Sequence, residues 1–202
     1  MIAATPEQPR EPREENPPRA PRSARLATAA NALTLVRLAA APVAALAIFG
    51  ENHEAALLLF TVAVATDLAD GPLARRSGGS SPIGGFLDHA TDATFVSLGL
   101  FACALRDLVP FVLPLFVMAA FVQYTLDSRA LSGRPLRASA LGRWNGVAYF
   151  VLLGVPVVRD GLSVGWPADG IVLGLGWALV VSTGFSMILR GRAWLDTRPR
   201  RP

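Results

Sequence analysis

Residues 55–105 read AALLLFTVAVATDLADGPLARRSGGSSPIGGFLDHATDATFVSLGLFACAL, and this stretch decides how the rest of the chain is interpreted. Two apolar runs, 55–74 and 84–105, flank a short loop rich in Gly, Ser and Pro. Each run is close to the ~20 residues that an α-helix needs to cross the hydrocarbon core of a bilayer. The short loop between them predicts two antiparallel, neighbouring helices.

Apolar runs of similar length recur along the chain, at 27–49, 108–126, 140–158 and 168–189. Backbone polar groups in lipid must form hydrogen bonds within their own segment, so runs of this length predict helices rather than strands. The sequence therefore predicts an all-α integral membrane protein with six transmembrane helices. We expect it to lie in the inner (plasma) membrane of the cell as a multi-pass protein.

The composition supports this class and excludes others. Of the 202 residues, 52% are hydrophobic and 17% are charged, against about 25% charged residues in an average soluble domain. The mean hydropathy is +0.41. A wholly disordered chain needs low hydrophobicity and is excluded, and the single cysteine excludes a disulfide framework.

The two ends of the chain differ from its middle. Residues 1–25 are rich in Pro, Arg and Glu and contain no apolar run, which predicts a disordered cytoplasmic tail. Residues 193–202 form a short basic tail. The remaining segment, 26–192, is predicted to be one domain that contains all six helices.

The basic residues predict the orientation of these helices. All 19 are arginines, and 16 of them lie before the first predicted helix, after the sixth, or in or beside the loops after the second and fourth. Arg106 and Arg159 lie in the loops after the third and fifth helices, and Arg37 lies inside the first helix. Because cytoplasmic loops carry the excess of arginine, we expect both termini to be cytoplasmic. The high isoelectric point then requires no nucleic-acid partner.

Four acids interrupt the stretch quoted above, namely Asp67, Asp70, Asp88 and Asp92. A carboxylate at membrane depth is costly unless it is paired, hydrated or metal-bound, so each is a candidate functional residue. Asp67 and Asp70 are three residues apart, and Asp88 and Asp92 are four apart, so each pair lies on one face of its helix. Both pairs lie near the connecting loop and are expected to face each other at one depth.

Four converging carboxylates predict a metal site. Hard divalent cations bind all-oxygen ligand sets, whereas Zn²⁺ prefers His or Cys, so Mg²⁺ or Mn²⁺ is expected. The alternative is that Asp67 and Asp70 only cap their helix or pair with Arg75 and Arg76, which leaves the other two acids unexplained. The acids are flanked by residues with little or no side chain, which either leave room for a ligand or allow tight helix packing: Gly71, Ala74 and Gly84.

Residues 67–92 read DLADGPLARRSGGSSPIGGFLDHATD. This stretch resembles, at every fixed position, the signature of the CDP-alcohol phosphatidyltransferases, D-x2-D-G-x2-A-R-x8-G-x3-D-x3-D. Residues 31–42, NALTLVRLAAAP, are similar to the N-x-L-T-x2-R-x4-P pattern of members such as the phosphatidylglycerophosphate synthases. The resemblance covers the predicted six-helix region and leaves out the N-terminal tail.

The resemblance implies an integral membrane transferase of phospholipid biosynthesis. An acceptor hydroxyl would attack the β-phosphorus of CDP-diacylglycerol and displace CMP, with two divalent ions bound. Asp67, Asp70 and Asp88 would be metal ligands, and Asp92 would be the general base and a further metal ligand. The remaining signature and first-helix positions would contact substrate: Gly71, Ala74, Arg75, Gly84, Asn31, Thr34 and Arg37. The family also implies a homodimer.

The acceptor is predicted from arginines in the loop before the fifth helix. Guanidinium groups bind phosphate in a bidentate manner, so Arg129, Arg137 and Arg143 favour a phosphorylated acceptor, and glycerol 3-phosphate is the first choice. An inositol phosphate or another alcohol is the alternative acceptor. Alternatively, these arginines have no role in binding and only reflect the excess of positive charge that is typical of cytoplasmic loops.

A small ion or metal transporter is a further alternative, since it would also place carboxylates in transmembrane helices. Such a transporter would predict acids near the middle of the bilayer and inverted repeats. The acids here lie toward one end of their helices, and the motif occurs once in the sequence.

Overall fold

A computed structural model describes the backbone of residues 22–76, 82–128 and 140–196, and the side chains of residues 33–68, 85–126 and 140–192. The described residues form six α-helices. They are α1 Arg22–Phe49, α2 His53–Arg76, α3 Pro82–Ala104, α4 Val112–Ser128, α5 Ala140–Gly161 and α6 Asp169–Asp196. The prediction of an all-helical chain is confirmed for this part of the protein.

The helix bounds differ most from the predicted runs at three places. The predicted start of the fourth helix at residue 108 is wrong, because α4 begins at Val112. Pro110 has no amide hydrogen and disfavours helical geometry in the residue before it. Leu108 and Val109 are nevertheless buried, so their apolar character serves packing rather than a helix. α1 and α6 extend into segments assigned to the tails, since α1 begins at Arg22 and α6 ends at Asp196.

The helices of the described chain close into a ring. α1 packs against α2 and α3, α2 packs against α5, α5 against α6, α6 against α4, and α4 against α3. A contact between α3 and α5 crosses the ring, and each of these helices contributes a fully buried leucine to the core, Leu100 and Leu153. A Cβ atom at Gly99 would lie 2.7 Å from Cδ2 of Leu153. Gly99 therefore allows α3 and α5 to approach closely.

Three short turns, after α1, α3 and α5, lie at the same end of the bundle, which we call the turn end. Each contains a non-glycine residue in the left-handed region, with φ of 58° at Glu51, 59° at Asp107 and 55° at Ser163. In each turn the next amide donates to a carbonyl five residues earlier: Asn52 N to Ala47 O at 2.9 Å, Leu108 N to Cys103 O at 3.0 Å, and Val164 N to Arg159 O at 2.9 Å. This is the bonding of the Schellman motif, which ends each helix abruptly.

The helix surfaces carry many large apolar side chains. Within the described residues, Ala140–Gly161 and Asp169–Arg192 are long and apolar enough to cross a membrane, with mean hydropathies of 1.3 and 2.0. Leu33–Phe49 and Val112–Leu126 are shorter apolar helical segments. Each of the six helices also exposes large apolar side chains, such as Leu46, Leu58, Phe101, Leu126, Val151 and Val181. Soluble monomers rarely expose apolar surface on this scale.

Candidate active site

Three of the predicted aspartates meet at the end of the bundle opposite to the turn end. Asp67 comes from α2, and Asp88 and Asp92 come from α3. One carboxylate oxygen from each residue lies within 4.8 Å of the others. We call these three residues the aspartate cluster. The prediction that the acids of the two neighbouring helices meet at one depth is confirmed for these three.

Arg37 of α1 lies at the centre of the aspartate cluster. Its Nη1 atom lies 2.6 Å from Oδ1 of Asp92, 3.1 Å from Oδ1 of Asp67 and 3.3 Å from Oδ1 of Asp88. The Arg37 side chain is fully buried, whereas the side chains of the three acids are 27–40% exposed. An arginine inside a predicted transmembrane helix needs an anionic partner, and the aspartates supply it.

The aspartate cluster fits a divalent cation. Its donors are all carboxylate oxygens, which Mg²⁺, Mn²⁺ and Ca²⁺ prefer as ligands. Two oxygens bound to one such ion at about 2.0–2.6 Å can be at most about 4–5 Å apart, and the spacing in the cluster is compatible with that limit. Among the described side chains, this group is the one with metal-ligand spacing.

A cavity of about 480 Å³ opens beside the aspartate cluster, between α3, α4, α5 and α6. Asp67 and Asp92 form part of its wall, so the cluster and the cavity share two carboxylates. His89 also lines the cavity, and its Nδ1 atom lies 2.9 Å from the carbonyl oxygen of Gly85. The His89 ring is therefore oriented by a contact within its own helix.

The rest of the cavity wall is partly polar and aromatic. Hydroxyl and amide side chains of α5 and α6 are bonded to one another there. The Tyr149 hydroxyl lies 2.5 Å from Oγ1 of Thr183, and Oδ1 of Asn145 accepts a hydrogen bond at 2.7 Å from Oγ of Ser182, which lies behind the wall. Two arginines also line the wall in the described chain, Arg143 at the start of α5 and Arg190 near the end of α6. The Arg190 guanidinium stacks over the Tyr124 ring at 4.8 Å.

The other predicted site residues are described to different extents. Thr34 is buried on α1, one turn before Arg37. Arg129 and Arg137 lie outside the described residues. For six other predicted positions the structure describes the helical backbone but not the side chain. They are Asn31 on α1, Asp70, Gly71, Ala74 and Arg75 on α2, and Gly84 on α3.

Several cavity residues escape prediction from sequence. Arg190 belongs, by pattern, to the basic end that fixes orientation, and Asn145, Tyr149 and Thr183 resemble ordinary polar residues of apolar helices. The signal that could have found them is their helical register, because Asn145 and Tyr149 are four residues apart and Thr183 and Arg190 are seven apart. Each pair therefore shares one face of its helix.

A second charged cluster lies at the turn end, and we call it the turn-end network. Asp160 is its centre: Oδ1 lies 2.8 Å from Nε of Arg159, and Oδ2 lies 3.4 Å from Nη2 of Arg106. Nη1 of Arg159 also contacts Oδ1 of Asp169 at 2.6 Å, and Nε of Arg106 lies 3.8 Å from Oε1 of Glu51. The network connects the turns after α1, α3 and α5.

The fold and the acidic site together define a class of enzyme. Residues 27–182 match the model of the CDP-alcohol phosphatidyltransferase family, and the chain belongs to this family. The chain is similar to two relatives from Mycobacterium tuberculosis, strains CDC 1551 / Oshkosh and ATCC 25618 / H37Rv, each named probable phosphatidylglycerophosphate synthase. Each is 29% identical over 165 residues, which cover 77% of this chain and 78% of the relative. The resemblance inferred from the acidic signature is thereby confirmed.

Proposed function

We propose that this phosphatidyltransferase transfers the phosphatidyl group of CDP-diacylglycerol to glycerol 3-phosphate and releases CMP. The observation that carries the proposal is the position of Asp92. This residue belongs to the aspartate cluster and also lines the adjacent cavity. A donor diphosphate at the cluster and an acceptor hydroxyl in the cavity would therefore meet at one carboxylate.

The reaction balances with Asp92 as the proton acceptor. The acceptor oxygen forms a bond to the β-phosphorus, the bond from that phosphorus to the CMP oxygen breaks, and the hydroxyl proton moves to Asp92. A carboxylate within hydrogen-bond reach of the hydroxyl is a suitable general base. Divalent ions, proposed to be two Mg²⁺ or Mn²⁺ held by Asp67, Asp88, Asp92 and Asp70, would neutralise the diphosphate and the leaving phosphate.

A phosphorylated acceptor is supported by the arginines of the cavity. Arg143 and Arg190 approach it from α5 and α6, and the cavity wall also offers hydroxyl and amide groups for an alcohol. The name of the two similar relatives, probable phosphatidylglycerophosphate synthase, supports glycerol 3-phosphate over an inositol phosphate. Arg129 and Arg137 are proposed to add to this anion site.

The proposed donor site is made of signature residues beside the cluster. Gly71, Ala74, Arg75 and Gly84 would approach the CDP group, and Asn31 and Thr34 would support it from α1. The support for these roles is the match of residues 67–92 to the family signature. An Arg75→Gln variant is expected to raise the KM for CDP-diacylglycerol and to leave the KM for glycerol 3-phosphate unchanged.

We further propose that all six helices span the plasma membrane with both termini and the aspartate cluster on the cytoplasmic side. The exposed apolar side chains on every described helix and the distribution of arginines support this topology. The acyl chains of the donor could then stay in the bilayer while its CDP group reaches the cluster. A homodimer is expected from the family resemblance, and cross-linking in membranes tests it.

The function is tested by CMP release from CDP-diacylglycerol by the purified full-length protein in Mg²⁺ or Mn²⁺. The acceptors are glycerol 3-phosphate, an inositol phosphate, free inositol and serine, each supplied alone. Product with glycerol 3-phosphate supports the proposal. Product with a different acceptor alone would reject glycerol 3-phosphate and keep the enzyme class, whereas no CMP release with any acceptor would reject the whole assignment.

The acceptor site is tested by replacing the two cavity arginines separately. Arg143→Gln and Arg190→Gln are expected to raise the KM for glycerol 3-phosphate by about tenfold or more, since a charge-assisted hydrogen bond contributes roughly 1.5–3 kcal/mol. The KM for CDP-diacylglycerol should stay within about twofold. Arg192→Gln is the matched control, because Arg192 is exposed on the same helix and does not line the cavity.

A further inference from the structure

We infer that Arg37 is a resident cation of the aspartate cluster, which it holds together when no metal is bound and which it must release when a divalent ion binds the same oxygens. The inference concerns the order of events at the cluster and rests on the metal chemistry proposed above. It gives Arg37 a role other than the direct substrate contact that the sequence pattern implies.

The position of one nitrogen atom carries this inference. Nη1 of Arg37 contacts one oxygen of each of the three aspartates, at 2.6, 3.1 and 3.3 Å. This nitrogen has two hydrogens, so it cannot donate a full hydrogen bond to three acceptors at once. It occupies instead the place of a central positive charge among three carboxylate oxygens. A metal ion that bound these same Oδ1 atoms would need that place.

The charges show why a metal ion can displace the arginine. Arg37 brings one positive charge to three carboxylates, so these four described side chains together keep an excess of negative charge after the pairing. A divalent ion compensates this excess better than a guanidinium does. Asp70, three residues after Asp67 on α2, adds a further acid near this end of the helix.

Burial shows from which side the exchange can take place. The Arg37 side chain is fully buried on the α1 side of the cluster. The side chains of Asp67, Asp88 and Asp92 are 40%, 35% and 27% exposed. Asp67 and Asp92 also line the cavity. An ion can therefore reach the acids from the cavity side, opposite to the buried Arg37 side chain.

Two possible roles of Arg37, a cation that competes with the metal and a residue that positions the carboxylates, lead to opposite expected effects of its removal on metal affinity. If Arg37 competes with the metal, its removal both frees the oxygens and removes a repulsive charge, so the metal binds more tightly. If Arg37 only orients the carboxylates for the metal, its removal weakens binding, as is usual when a partner of a metal ligand is lost.

The experiment measures Mn²⁺ binding to the purified full-length protein in the absence of any substrate. Free Mn²⁺ is followed by electron paramagnetic resonance, and the variant is Arg37→Gln. We expect its Kd for Mn²⁺ to fall by roughly 10–100-fold, the range over which neighbours of metal ligands change affinity. The matched control is Arg106→Gln, which removes an ion-paired arginine at the turn end and should leave the Kd within about twofold of wild type.

A second measurement keeps the inference testable if the neutral variant folds poorly without metal. Arg37→Lys retains a positive charge, and we expect it to keep the metal-free thermal stability and a Kd for Mn²⁺ near that of wild type. Arg37→Gln should be less stable than wild type in chelator and should gain more from Mn²⁺ than wild type does. Arg106→Gln should lose stability equally with and without Mn²⁺.

Two results would overturn the inference. One is Mn²⁺ binding by Arg37→Gln that is unchanged or weaker, and the other is a loss of stability in that variant that Mn²⁺ does not reduce. Either result leaves the proposed function intact if the wild-type protein still releases CMP. Tighter Mn²⁺ binding by the variant, together with no CMP release from wild type with any acceptor, would support the inference and reject the proposed function.

Discussion

The two charged clusters of the bundle differ in how their charges are balanced. In the turn-end network, Arg106 and Arg159 share Asp160, and each has a further carboxylate, Glu51 or Asp169, within 4 Å. At the opposite end, Arg37 is the one cation that the described side chains place within 4 Å of the three carboxylates. The turn-end network has three carboxylates for two arginines, whereas the aspartate cluster has three carboxylates for one arginine.

This difference separates a structural cluster from a functional one. A network in which each carboxylate has an arginine partner stabilises the turns that it connects and has low affinity for an added cation. A cluster with excess carboxylates lowers the stability of the fold through repulsion between like charges, and the binding of a cation restores stability. The ratio of arginines to carboxylates, rather than the presence of charge near apolar helices, therefore distinguishes the two clusters.

The largest effect is expected for Asp92→Asn. Loss of the proposed general base should lower kcat by about 10²–10⁴-fold, while the variant remains folded because one excess negative charge is removed. The measurement is CMP release under saturating CDP-diacylglycerol and acceptor. Asp169→Asn, the same replacement at an exposed end of the turn-end network, should change kcat by less than about twofold. Equal losses in both variants would remove the functional distinction between the clusters.

Metal binding should stabilise the protein through one cluster only. At a Mn²⁺ concentration about 100 times Kd, the free energy of unfolding should rise by about 2.7 kcal/mol relative to chelator, and chelator should abolish CMP release. Asp88→Asn is expected to lose most of this stabilisation, and Asp160→Asn is expected to keep it. Denaturant titrations of the protein in detergent measure both. If Asp160→Asn instead lost the stabilisation by Mn²⁺, the metal would bind at the turn end and the prediction would be wrong.

Disrupting the turn-end network should affect stability and spare the chemistry. Asp160→Asn leaves two partly buried arginines without their shared partner, and we expect a loss of about 1–3 kcal/mol in the free energy of unfolding. The kcat of the folded variant should match wild type at low temperature. Asp107→Asn is the matched control, since Asp107 lies in the same region and asparagine tolerates its positive φ. A comparable loss in Asp107→Asn would show that the network itself contributes little.

The smallest expected effect concerns the backbone of the turn end. Ser163 is exposed and has a φ of 55°, which a residue with a Cβ atom adopts at a cost. Ser163→Gly should therefore raise the free energy of unfolding by up to about 1 kcal/mol. Ser163→Ala provides the comparison and should not stabilise. Stabilisation by alanine as large as that by glycine would contradict the assigned turn.

Much of this structure can be predicted from local sequence patterns. The six helices follow from apolar runs, and the meeting of Asp67 with Asp88 and Asp92 follows from helical spacing and a short loop. The beginning of α4 could not be found in this way. Leu108 and Val109 have the same apolar character whether they continue a helix or are buried in a turn, and Pro110 decides between the two.

The partner of Arg37 and the cavity wall depend on long-range packing. The pairing of Arg37 with residues 30, 51 and 55 positions later requires α1 to pack against both α2 and α3. The sequence indicates that Arg37 needs an anion but leaves open whether a phosphate or an aspartate supplies it. Spacing within α6 places Arg190 on the same face as Thr183, but it does not reveal that this face meets α4 and α5, which the ring brings beside α6.

The three turns at the turn end also bear on how the protein responds to the membrane potential. They and the adjoining helix ends carry five carboxylates, at Glu51, Glu54, Asp107, Asp160 and Asp169, and two arginines. In the proposed topology this net negative charge lies outside a membrane whose interior is electrically negative. Each negative charge is more stable on the outer side than on the cytoplasmic side by up to about 2.3 kcal/mol per 100 mV of membrane potential. The resting potential of the cell would thus hold the bundle in the orientation that presents its aspartates to the cytoplasm.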